Sequence, residues 1–266
     1  MFADFGRIVF DMSGSRLANC VALCAVLLGA TTLGARASAS SGTVPALVTR
    51  ASAVYAANVK GIIGMQRHFS TVVRAGPVHH TEVSDGGQLM KDGAFVKITY
   101  YRIADDGKAF SPQQIAQRDA QTNQDWSLGK IFFKEPYDPR FIHDYVFDPA
   151  QACTACPAGT VAVTFRSGMK DNQHGSGTMW IEQATGRVDK LTYIPNVPPP
   201  HATSGSVTET SGNAMPNVWY VTRIDGSYRG NAFPMTGTGT FTGLFDHFRR
   251  FSTVTQGEAA LTAATI

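Results

Sequence analysis

Apolar positions in this chain recur at two spacings, and the helical one comes first. In "TVPALVTRASAVYAANVKGI", Val44, Leu47, Val48, Ala51, Val54, Tyr55 and Val59 fall on one helical face. Thr43 is placed to cap that helix, Pro45 suits its first turn and Gly61 ends it. A second helix is predicted after Ser111-Pro112 in "SPQQIAQRDAQTN". Its apolar stripe is thin, Ile115 and Ala116 and little else, so it should lie loosely on the body or serve in a lid.

Almost everything else alternates with period two. "MQRHFSTVVRA" leads through "VHHTEV" to a predicted turn at Ser84-Asp85-Gly86-Gly87, and "AFVKITYYRI" stops at Asp105-Asp106-Gly107. "RFIHDYVFD" sets Phe141, His143, Tyr145 and Phe147 against Ile142, Asp144, Val146 and Asp148. "GTVAVTFRS" puts Val161, Val163 and Phe165 on one face. "GTMWIE" and "RVDKLTYI" flank a tight turn at 183–186, and "NVWYVTRIDGSYRG" and "GTGTFTGLFDHFRRF" form a last pair. The pattern predicts an α+β fold of about eight or nine strands, joined mostly as sequential hairpins and therefore antiparallel. Residues 195–217, with five prolines among Gly, Ser and Thr, read as a long loop, a mobile surface segment or a flap over a ligand mouth. The tail "TQGEAALTAATI" offers little to pack and is expected to be loose.

Residues 1–37 change where the chain goes. Arg16 precedes an apolar run from Leu17 to about Leu33, followed by Ala35-Arg36-Ala37 and Ala37-Ser38-Ala39. Basic, apolar and small-residue segments in that order are a secretory signal, with a retained anchor as the alternative. The expected organisation is a signal peptide over 1–37, one domain over 38–254 and a loose tail over 255–266, in the periplasm or secreted. With 23 Lys and Arg against 20 Asp and Glu, the charge is close to balanced, which argues against a nucleic-acid partner. An outer-membrane barrel fits the strand number but not the polar, alanine-rich ending.

Export also bears on "CTACP". Cys153 and Cys156 are the cysteines left after cleavage, and an even pair in an oxidising compartment points to a disulfide. Two alternatives stand beside it. A redox pair would sit at a helix start, whereas Pro157, Ala158 and Gly159 lead into a strand pattern. A zinc site would need two further ligands from His143, His174 or His79-His80, without the spacing of a second knuckle. His79 and His80 project to opposite strand faces, one of them to solvent. Asp246, His247 and Ser252 have the residue types of a hydrolase triad, but no Gly-x-Ser-x-Gly elbow accompanies them. No P-loop, dinucleotide fingerprint or HExxH occurs, and no enzyme, cofactor or metal site is expected.

The order of features resembles the exported LolA/LolB-like lipoprotein-carrier superfamily. The pieces are one amphipathic helix ending in "ANVKGIIGMQRHF", long strands interrupted by a helix after "DDGKAFSP", the hairpin "GTMWIEQATGRVDKLTYI" and a closing strand with "FDHFRRF". The likeness covers roughly residues 44 to 252, and the CxxC segment and Pro-rich stretch depart from it. It implies an incurved antiparallel sheet, an unclosed half-barrel with helices on its hollow side, whose apolar hollow takes up acyl chains. The candidate hollow rows are Val161, Val163 and Phe165 with Met179 and Ile181, and Tyr145 beside them. The expected role is non-catalytic binding of a lipid or an acylated protein, without membrane insertion beyond a peripheral contact. The alternatives are an envelope scaffold that pairs a partner along a sheet edge and a thiol-redox protein.

Overall fold

A computed structural model describes residues 44–129, 133–198, 202–232 and 235–266. The predicted signal segment and Thr43 lie outside them. The elements are α1 (Ala46–Val59), β1 (Ile62–Ala75), β2 (Val78–Lys91), β3 (Ala94–Asp105), β4 (Lys108–Ala109), α2 (Pro112–Ser127), β5 (Tyr145–Phe147), β6 (Gln151–Ala152), β7 (Thr160–Ser167), β8 (Gly175–Glu182), β9 (Val188–Pro195), β10 (Ala202–Met215), β11 (Val218–Ala232), β12 (Met235–Phe251) and α3 (Val254–Thr262). Twelve strands form one antiparallel sheet in the order β4-β3-β2-β1-β12-β11-β10-β9-β8-β7-β5, with β6 also on β7. The sheet does not close: β1 pairs with β12, while β4 and β5 stay at opposite ends.

Tight turns fix the register where the sequence places them. Asp92 and Gly93 (φ +50° and +75°) join β2 to β3, and Asp106 and Gly107 (φ +46° and +79°) join β3 to β4. Both pairs have the two positive φ values that match strand twist in a two-residue hairpin.

Four expectations need correction. The Ser84–Gly87 turn does not exist, because β2 runs straight through it. Gly86 sits at a register shift against β3, and a Cβ on Gly87 would collide with Leu261 and the Tyr101 hydroxyl. These glycines serve a bulge and a close approach, a use that a strand interior shares with turns. The supposed loop 195–217 is largely β10, whose polar "ATSGSVTETSGNAM" pairs with β9 and β11. Neighbouring strands, rather than β propensity, hold it extended. His143 is not in a strand but in a 3₁₀ turn, Ile142–Asp144. The tail is not loose: α3 buries Leu261, and Ile266 behind it packs with Leu89.

The helices divide between the two faces. α1 buries Val48, Ala51, Tyr55 and Val59 in the main core, together with Phe69, Phe165 and Ile181. α2 starts with a capping box, Ser111 and Gln114 bonding reciprocally, and lies along β3. α3 packs against Leu89, on the face of β2 opposite Gln88 and Met90. The hollow side therefore carries α1 and α2, and the outer side carries α3.

α2 does more than its thin apolar stripe predicts. Asn123 Nδ2 donates to the Ile98 carbonyl at 2.8 Å, and its Oδ1 accepts from the Ile98 N–H at 2.8 Å. Asp119 Oδ1 accepts from the Tyr100 N–H at 2.7 Å. The helix thus supplies, through side chains, the ladder partners that the edge of β3 lacks, which blunts that edge against pairing with another chain.

Candidate functional site: a cavity on the hollow face

On β1, Met65, Arg67 and Phe69 point to the same face, and Gln66 and His68 to the other. Opposite them, β10 presents Val207 and Glu209. The register sets Glu209 beside Ile224 of β11, Ile224 beside Gly243 of β12, and Gly243 beside Phe69 of β1. One row of side chains therefore runs across four strands, with Arg67 in the next row.

These rows border a cavity of about 410 Å³, within the usual range for small-molecule sites. Its walls come from strands as far apart as β3 (Phe95, Tyr100) and β9 (Tyr193). Those strands are six steps apart in the sheet, roughly 29 Å if it were flat at about 4.8 Å per step. A single shared cavity requires the sheet to curl inward. α2 shuts one side with Thr122, Asn123 and Trp126, the last stacked on Phe95 with centroids 4.4 Å apart. The segment before β5 brings Phe133, stacked on Tyr193, and Glu135.

Glycines explain why the hollow stays open. A Cβ on Gly243 would run into the Phe69 ring, and one on Gly226 into the Phe241 ring. Both rings lie down on the sheet, over positions without side chains, instead of standing up into the space.

The lining is aromatic and aliphatic with a few embedded charges. Arg67 is 7% exposed. Its guanidinium carbon lies 4.4 Å from the Phe69 ring centre and 5.2 Å from that of Tyr100, and neither Nε nor Nη1 has an acceptor among the described residues. Glu209 is 6% exposed, and its Oε2 has no partner among the described residues. Burial pushes its carboxyl up to about 7, against the opposing hydrogen bond from Tyr193. Burial also raises Glu135 well above the carboxylate range, with repulsion from Glu209 and Asp138 adding to it. Arg140 is tied down elsewhere, with its Nε 3.0 Å from both Asp138 oxygens.

The residues predicted for the hollow are brought together, but beside this cavity. Val161, Val163, Phe165, Met179, Ile181 and Tyr145 are all buried, and all but Val161 belong to the main core cluster with α1. None of the six lines the cavity. The Tyr145 hydroxyl donates to the Lys134 carbonyl, and its ring meets Phe165 edge-on at 5.6 Å. Arg67 was legible in the sequence, since period two puts it between Met65 and Phe69 on a core-facing row. Glu209 was hidden by reading its strand as a loop.

Cys153 and Cys156 form a disulfide across a turn, where the Cys156 N–H donates to the Cys153 carbonyl at 3.3 Å. β7 follows at Thr160, so no helix N-terminus faces either sulfur. His174 is fully buried, with Nδ1 2.8 Å from Asp171 and Nε2 3.2 Å from Asp144. His80 is buried and His79 exposed. His80 Nδ1 lies 3.0 Å from Asp105 and 3.2 Å from Asp106, three potential ligands where a structural zinc takes four. His247 sits on a bulge at φ +49°, 2.8 Å from Asp246, while the Ser252 N–H goes to Gln256. No hydrogen bond joins Ser252 to His247 among the described residues.

Neither family models nor curated proteins match the chain. Among solved structures it is similar to an outer membrane lipoprotein-sorting protein domain from Vibrio parahaemolyticus, at 10% identity over 82% of this chain and 98% of that one, with a TM-score of 0.43. A DUF1329 family protein from Desulfovibrio piger gives 10%, 82%, 98% and 0.39. A LolA superfamily protein from Nitrosomonas europaea gives 10%, 82%, 99% and 0.36. Likeness at this level carries no function, which rests on the site itself.

Proposed function

We propose that the protein is exported and holds a lipophilic ligand, free or attached to a partner protein, in the cavity of its hollow face, without transforming it. The observation that carries this reading is the 410 Å³ space among Phe69, Phe95, Trp126, Phe241 and Phe245, left open by the lie of the rings. Moving an acyl chain from water into such a lining gains about 0.8 kcal/mol per CH₂. The signal-like order of residues 1–37 supports export.

Capture of a partner by β-augmentation is the less favoured alternative, since Asn123 and Asp119 already occupy the β3 edge. The turn position of Cys153 and Cys156, without a helix start, favours a stapling role over a redox one.

The test is native mass spectrometry of protein isolated from the periplasm, followed by solvent extraction. Co-purifying lipid that is lost in a cavity-filling Gly243→Phe variant with parental circular dichroism is the expected result. An empty protein that also refuses a fluorescent fatty-acid probe would refute the reading.

A further inference from the structure

Arg67 is a cationic feature of the cavity that a purely apolar ligand leaves unexplained. A guanidinium nine-tenths buried without a counter-ion is costly, and proteins pair such groups or give them a ligand. Here the rings of Phe69 and Tyr100 lie against it, and Nε and Nη1 lack acceptors among the described residues. Asp119 is an acid that senses Arg67, but among the described residues no ion pair joins the two, and its Oδ1 accepts from the Tyr100 N–H. Glu209 is no counter-ion either: it stands on β10, three strands from β1, and makes no ion pair with Arg67 among the described residues.

We propose that Arg67 is the head-group site of the cavity, and that the ligand is a single-chain amphiphile ending in an oxyanion, a carboxylate or a phosphate monoester. This rests on the lipophilic-ligand reading above and gives that ligand a polar end. The apolar lining of Phe69, Phe241, Phe245 and Ile224 takes the chain, and the oxyanion neutralises the guanidinium. Arginine suits this task because it stays charged in an apolar setting and its planar donors match both anions. Glu209 and Glu135 oppose it less as the pH falls below neutral, since burial raises both carboxyls above their ordinary range and favours their protonated forms.

The experiment is calorimetric titration of the purified, delipidated protein with four probes sharing one tail: dodecanoate, dodecyl phosphate, dodecanol and dodecylamine, each below its micelle threshold at pH 6. The expected result is that one or both oxyanions bind about tenfold or more tighter than dodecanol, and dodecylamine weakest. The better of the two anions identifies the head-group class. Arg67→Met, which keeps length and packing, should bring the anions down to the level of dodecanol and leave dodecanol unchanged. Arg67→Lys should keep part of the preference, and it remains informative if the methionine variant fails to fold. Dodecanol binding as tightly as the anions, or an anion preference that survives in Arg67→Met, would overturn the Arg67 assignment while leaving the cavity reading standing. A preference for dodecylamine would overturn it in favour of Glu135 and Glu209. Failure of all four probes to bind would sink the cavity reading itself, and this one with it.

Discussion

The two halves of the sheet solve the same problem differently. At one end, residues of β5, β7, β8 and β9 share a core cluster with α1, and Val163, Phe165, Met179, Ile181 and Leu191 fill it at 0–1% exposure. At the other, β1, β2, β3, β10, β11 and β12 curl around space lined by Phe69, Gln88, Glu209 and Arg67. In the first half, large aliphatic residues stand up from both strands of a pair, as Val163 does opposite Met179 and Val161 opposite Ile181. In the second, Gly226 is beside Phe241 and Gly243 is near Phe69, and the rings recline. Apolar alternation therefore marks the solid half, and glycine beside aromatic marks the open one.

The largest effect expected from this contrast is on stability. Phe165→Ala should cost about 3–5 kcal/mol, because close packing leaves a void. Phe245→Ala, at the cavity wall and only partly buried, should cost clearly less and change probe uptake instead. Urea denaturation of both variants measures this, and equal losses would erase the distinction between the halves.

Next in size is a pH effect confined to the open half. Burial raises Glu209 to about 7 in the folded state, above its ordinary value of 4.5. The folded protein then binds more protons than the unfolded chain between those values. Stability from this group is complete below about pH 4.5 and lost as pH rises through about 7, by on the order of 3 kcal/mol. Glu209→Gln should remove that decline, and thermal melts from pH 5 to 8 should show a flatter profile than the parent. A parallel decline in the variant would assign it to Glu135 or another group.

A smaller effect concerns the lid of the cavity. Asn123→Ala leaves the Ile98 N–H and C=O without partners, at about 1–3 kcal/mol. Hydrogen exchange at Ile98 should speed up more than at Val163, and unchanged exchange would mean that α2 does not protect the edge. Smallest of all should be the double change Cys153→Ser with Cys156→Ser, at most about 2 kcal/mol because the closed loop is short. Probe uptake should persist, and loss of uptake in a folded double variant would revive the redox reading.

The sequence alone determined whatever depends on short-range pattern. The α+β class, the antiparallel hairpins, both early helices, the turns at Asp106-Gly107 and 183–186, and the CxxC pairing all follow from spacing, caps and turn residues within about twenty positions. Even the alternation of Met65, Arg67 and Phe69 was there to be read, although its meaning was not. Tertiary structure decided what a residue's neighbours across the sheet decide. Gly86 and Gly87 could open a turn, or admit the β3 backbone at Gly86 and Leu261 at Gly87, and only the packing of β3 and α3 selects between them. The polar β10 is a strand because β9 and β11 bond its backbone on both sides. The apolar rows of β7 and β8 point to the hollow as period two requires, but α1 and the 3₁₀ segment fill their part of it. The open space falls where strands far apart in the chain place glycine beside rings and leave Arg67 without an ion pair among the described residues. Curvature and cross-strand register set that placement, and neither is written in any local stretch of the chain.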